Sequence, residues 1–138
     1  MRWSKMMTTT MTRSLMPWAN DTRTMSGRIG AVAFLIASVM EPCCLALGRM
    51  TFNNADNRIK AGIAGAIECV VAAMCAHADN ADVQKLGCFA LNNMTFDNAD
   101  NKIKAGSAGA VECVVAAMRA HAGDGDVQEV GRILLDSL

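Results

Sequence analysis

Six cysteines and two histidines are the residues of this chain with the strongest claim to chemistry. A metal centre needs three or four such ligands converging on one point, and zinc sites usually show pairs two to four residues apart. Cys43, Cys44, Cys69, Cys75, Cys88 and Cys113 include no C-x-x-C pair, and His77 and His121 stand 44 residues apart. An even cysteine count also fits a disulfide framework. Cys69 and Cys113 recur at equivalent positions inside apolar helical runs, however, as do Cys44 and Cys88, and there a thiol serves as a small apolar side chain. Most are read as reduced, in a reducing compartment, with disulfides as the competing reading. Asp97-Asn98-Ala99-Asp100 and Asp124-Gly125-Asp126 bring carboxylates close together but lack the twelve-residue ligand spacing and terminal Glu of a calcium loop. Helix capping accounts for both. With no nucleophile–base set, no Gly-rich phosphate loop and no paired acids, the expectation is a protein without catalysis, metal or cofactor.

The positions of these residues follow from an internal duplication, the most informative feature of the chain. Residues 50–87 and 94–131 match at 28 of 38 positions with a period of 44. The match extends to CLAL at 44–47 against CFAL at 88–91. A period in the forties with helical spacing reads as stacked helix pairs or triplets. In each unit Asn57 or Asp56 (Asn101 or Asp100) starts a short helix. Gly65 or Gly109 then supplies a tight turn. The next helix carries Ile67, Val70, Val71 and Met74 at i, i+3, i+4 and i+7, one apolar stripe. His77 and His121 fall near its end, where an imidazole suits the negative pole of the helix dipole. Successive stacked helices would hold the two rings about 10 Å apart, too far for one ion.

A third helix, capped by Asp82, carries Val83, Leu86, Ala90, Leu91 and Met94 on a second stripe. Gly87 and Gly131 recur inside it at a cost of about 1 kcal/mol each relative to Ala, as if another helix crosses closely there.

A short helix, a Gly turn, the I-x-x-V-V-x-x-M stripe and then D-V-Q-x-x-G-x-x-A-L-x-N-M resembles the armadillo repeat over about residues 43–138. The resemblance implies an all-α fold, a short right-handed α-solenoid with repeats at about 51–94 and 95–138. It also implies a peptide-binding face on the third helices, where an aromatic and an Asn one turn later clamp an extended backbone. The matching positions are Phe89 and Asn93. A carboxamide offers one donor and one acceptor to a peptide unit. The flanking units carry Leu45 with Arg49 and Ile133 with Ser137 instead. The expected binding surface is Arg49, Lys85, Phe89, Asn92 and Asn93, facing a protein or an extended peptide. The alternative reading is a self-assembling structural element, or a fragment of a longer array.

The ends differ from the middle. Residues 1–28 hold five basic groups against Asp21, a net of +4, and the other 110 residues are net −4. A nucleic-acid binder concentrates positive charge on its folded part, so this split argues against DNA or RNA. The basic, Met- and Thr-rich start reads as an organelle transit peptide or an unstructured leader. Without import, the expected location is the cytoplasm. Residues 29–50 read as a degraded unit, with Gly30 only 35 residues before Gly65. Glu41-Pro42 breaks its apolar run at about a dozen residues, short of the roughly twenty that a membrane span needs.

Overall fold

The computed structural model describes residues 38–138. The leader and the first part of the degraded unit, residues 29–37, lie outside them. The described residues form seven α-helices and no strand. The first, α1, covers 38–51. It is followed by α2 (Ala55–Ile63), α3 (Ala66–Ala76), α4 (Ala81–Thr95), α5 (Ala99–Ser107), α6 (Ala110–Ala120) and α7 (Gly125–Ser137). The duplication therefore maps onto two helix triplets, α2–α4 and α5–α7, with α1 at the place of a third helix before them.

Local chemistry sets the boundaries, sometimes at residues other than those expected. The caps of α2 and α5 are Asn54 and Asn98, whose side chains accept the backbone N–H of Asn57 and Asn101 at 2.9 and 3.0 Å. Asn57 and Asn101 are thus first-turn residues rather than caps. Likewise α4 is capped by Asn80, not Asp82, through a 3.1 Å bond from the Val83 N–H. In each case Asp sits second in the helix, where its charge favours the positive pole of the dipole. The expected glycine turns hold: Gly65 and Gly109 have φ of 79° and 83°, the left-handed region open to glycine.

The core is the interior of the triplets. Ile67, Val70, Val71 and Met74 of α3 are buried, as are Val83, Ala90, Leu91 and Met94 of α4. Gly87 explains its own recurrence. A Cβ there would meet the Met74 side chain, and one at Gly131 would meet Met118, so α3 and α4, like α6 and α7, cross at closest approach on a glycine. A second device ties the same helices together. The buried Gln84 donates its carboxamide N–H groups to the carbonyls of Met74 and His77 at 3.0 and 2.8 Å. Gln128 repeats this on Met118 and His121 at 2.7 and 3.0 Å. The last carbonyls of α3 and α6 have no partner within their own helices, and these glutamines supply one.

Candidate functional site

The two triplets meet through bonds that join equivalent places. The Asn101 side chain donates 2.8 Å bonds to two carbonyls of the unit before, Met94 O on α4 and Arg58 O on α2. Lys104 Nζ donates to Gly62 O at 2.8 Å. His121 Nε2 lies 2.8 Å from Ala78 O; a carbonyl can only accept, so that nitrogen carries the proton. The Arg58 guanidinium stacks on the Phe96 ring, 5.1 Å from its centroid. On the third-helix side α4 packs along α7, and the Asn93 carboxamide donates to Gly48 O of α1 at 3.2 Å.

Burial follows the same logic. Positions buried in the first unit because the second covers them are open in the second. Ile67 is fully buried, whereas its counterpart Val111 is 40% exposed. Gly62 faces the Asn101 side chain, while Gly106 has nothing within 4 Å of where its Cβ would be. The reverse holds on the opposite face, where Asn101 is buried and Asn57 is not. One face of the second unit is therefore a copy of a unit–unit interface that no described residue covers.

The five residues expected to bind lie on α1 and α4. Arg49 is exposed near the end of α1. Lys85, Phe89 and Asn92 are half-buried along one side of α4, their angular spread about 60° at 100° per residue. Lys85, Phe89 and Asn93 have internal engagements. Lys85 Nζ is 3.5 Å from both Asp82 and Asp126, the second on α7. The Phe89 ring lies against Gly48, where any side chain would collide with it. Asn93 is only 8% exposed and holds α1 through Gly48 O. Lys85, Phe89 and Asn92 thus share one side of α4, and Leu45 on α1 and Ile133 on α7 hold the positions equivalent to Phe89. Asn93 serves as a tie between helices. Nothing in the sequence pattern separated those two uses of an Asn, because Gly48 lies in the degraded unit.

The cysteines divide in a way that the repeat alone did not foretell. Cys44, Cys88 and Cys113 are buried, as expected of small core residues, but Cys69 is exposed, with Cys43 and Cys75. Cys69 was expected in the core with Cys113. The preceding unit is what covers Cys113, beside Val71 O and the Cys75 sulfur, and no described residue plays that part for Cys69. Burial, with Cys43 beside it, raises the Cys44 thiol to about 11, and burial raises Cys88 to about 12. Cys113 is pushed up by burial and then by Cys75. Among the described residues no group of three or more His, Cys, Asp or Glu could hold a metal. No single described helix is long and apolar enough to cross a membrane.

Two results follow for the thiols. At one pH the thiolate fraction of Cys88 should be roughly three orders of magnitude below that of an ordinary cysteine. Mass-resolved alkylation should therefore label Cys43, Cys69 and Cys75 first and Cys44, Cys88 and Cys113 only on unfolding. Because the folded pKa values lie above the unfolded value of 9.0, the stability they contribute is complete below pH 9. It is lost as pH rises from 9 toward 12, which denaturant melts across that range would register. Uniform labelling of all six would contradict the burial pattern.

Comparison with family models, with curated proteins and with solved structures gives no match for this chain.

Proposed function

We propose that the helical part of this chain is a short right-handed α-solenoid of armadillo type, and that it is a non-catalytic scaffold binding an extended peptide or protein segment along its third helices. The observation that carries the reading is the set of inter-unit bonds at nearly constant separation: Asn101 to Arg58, Lys104 to Gly62 and His121 to Ala78 span 43, 42 and 43 residues. One unit laid on the next by a repeated displacement is the principle of a solenoid. Such stacking aligns Leu45, Phe89 and Ile133 into an apolar row edged by Arg49, Lys85 and Asn92. An extended segment could lay alternate side chains on that row and offer backbone groups to Asn92. The charge of the described residues, eight bases against twelve acids, supports a protein partner over nucleic acid. The cytoplasm is the compartment that fits a chain with six free thiols.

The test is capture from a displayed library of extended peptides by the intact chain and by a Lys85→Ala/Asn92→Ala variant. Both residues are half-buried, so the melting midpoint should stay within a few degrees. Binding should fall about tenfold or more. Equal capture by the two proteins, or none by either, would remove the third-helix face from consideration.

A second reading is favoured by a different observation, the uncovered face of the second unit with Gly106 and Val111. There the chain is a structural element whose open face takes a further unit, from a second copy or from a longer parent array.

A further inference from the structure

The six thiols are not equivalent, and one pair stands apart. Cys75 lies near the end of α3 and is exposed; Cys113 lies in α6 and is buried. Their sulfurs are 3.0 Å apart across the junction of the two units. A disulfide requires about 2.0 Å, so closure asks for an approach of roughly 1 Å, within reach of small side-chain rotations. The pair exists at this junction alone. The counterpart of Cys75 in the second unit is Arg119, and the counterpart of Cys113 in the first is Cys69, which is exposed and lies outside the junction. Cys75 is thus one of the ten of 38 positions at which the duplicated units differ, and the difference completes a thiol pair.

We propose that Cys75 and Cys113 are a reversible redox staple between the two units, closed by a small-molecule disulfide of the oxidised glutathione class and opened by its thiol. The roles follow from exposure. The Cys75 thiolate, in solvent, attacks one sulfur of the oxidant, forming a mixed disulfide and expelling one thiolate, which takes up the proton that Cys75 gave to water. The Cys113 sulfur then attacks the Cys75 sulfur, the new S–S bond forms, and the second small thiol leaves with the Cys113 proton. Two protein thiols are oxidised and one small disulfide is reduced to two thiols. The second step needs a thiolate from a buried group whose ionisation is suppressed, so it is the slow one. The staple joins the second helices of successive units and fixes their relative placement without consuming any residue of the third-helix face. It does not depend on what that face binds.

The experiment uses the full chain, equilibrated with oxidised glutathione or with excess reduced glutathione, digested with trypsin without reduction. Oxidation should link the peptide of residues 61–85 to that of residues 105–119, with fragmentation placing the bond at Cys75 rather than Cys69. Closing a loop of this size should raise the melting midpoint by roughly 10–20 °C. Cys75→Ser, at an exposed site, should fold, lose the linkage and lose the shift, while Cys69→Ser should keep both. Glutathione left on Cys75 with no linkage, a bond from Cys113 to Cys88 instead, or a shift retained by Cys75→Ser would each overturn the proposal.

Discussion

Alanine in place of Asn101 should lower the unfolding free energy by about 2–4 kcal/mol, a fall in melting midpoint of roughly 10–25 °C, while alanine in place of Asn57 should cost less than about 1 kcal/mol. The two residues occupy the same place in their units, so composition and propensity predict equal effects. Their surroundings do not. Asn101 is 2% exposed and supplies 2.8 Å bonds to two carbonyls, Met94 O and Arg58 O. Truncation would leave both acceptors without this donor and open a space against Gly62. Asn57 is only partly buried and makes the local bond alone, to Met50 O at 2.7 Å, where water can replace it. Parallel melts of the two variants followed by circular dichroism measure the difference. Equal losses would mean that the units do not meet through this carboxamide.

How much of this could be read from residues alone depends on whether a feature lies within one unit or between two. Features within a unit were legible. The stripe Ile67, Val70, Val71 and Met74 is buried, and the turn glycines Gly65 and Gly109 have positive φ. Gly87 and Gly131 mark the helix crossings. Each depends on periodicity or on a backbone conformation that one residue type favours. Helix starts were misplaced by two or three residues, because Asn54, Asn57, Asp56 and Asp82 all have capping chemistry and only the chain path decides which one is used. Gln84 left a signal, its recurrence as Gln128, but nothing said which carbonyls it would reach. Features between units were hidden for a deeper reason. Duplication makes the two copies look alike, while stacking gives them different neighbours. Cys69 and Cys113 share a sequence context and differ in burial because, among the described residues, only Cys113 has the second helix of a preceding unit against it. Cys75 looked like an ordinary departure from the repeat until its partner was placed at 3.0 Å. The all-helical class was legible in the same way as the stripes, from spacing. The candidate face came from a family resemblance, which pointed to Phe89 with Asn93, whereas Asn93 is buried and the neighbouring Asn92 is the one left partly open.

The sharpest consequence of stacking is a change of sign at one motif position. Gly62→Ala should destabilise the chain by about 2–4 kcal/mol, whereas Gly106→Ala should stabilise it by roughly 0.5 kcal/mol. Both glycines lie near the ends of their helices, α2 and α5, in the same K-A-G sequence. A Cβ on Gly62 would run into the Asn101 carboxamide, which its two short bonds hold in place, so relief requires breaking them or parting the units. A Cβ on Gly106 meets nothing within 4 Å, and there the substitution only reduces the freedom of the unfolded chain and improves helix propensity. The same pair of variants separates a monomeric binding scaffold from a self-assembling element. If the open face takes a further unit, a carboxamide equivalent to Asn101 must come to rest on Gly106. Alanine would then block it. Sedimentation of the parent chain and of Gly106→Ala over a concentration series reads this directly. Concentration-dependent growth in the parent, abolished by Gly106→Ala, is the signature of self-assembly through that face. A parent that sediments as a monomer throughout, with Gly106→Ala more stable and otherwise identical, assigns the face to solvent and leaves the third helices as the surface that binds.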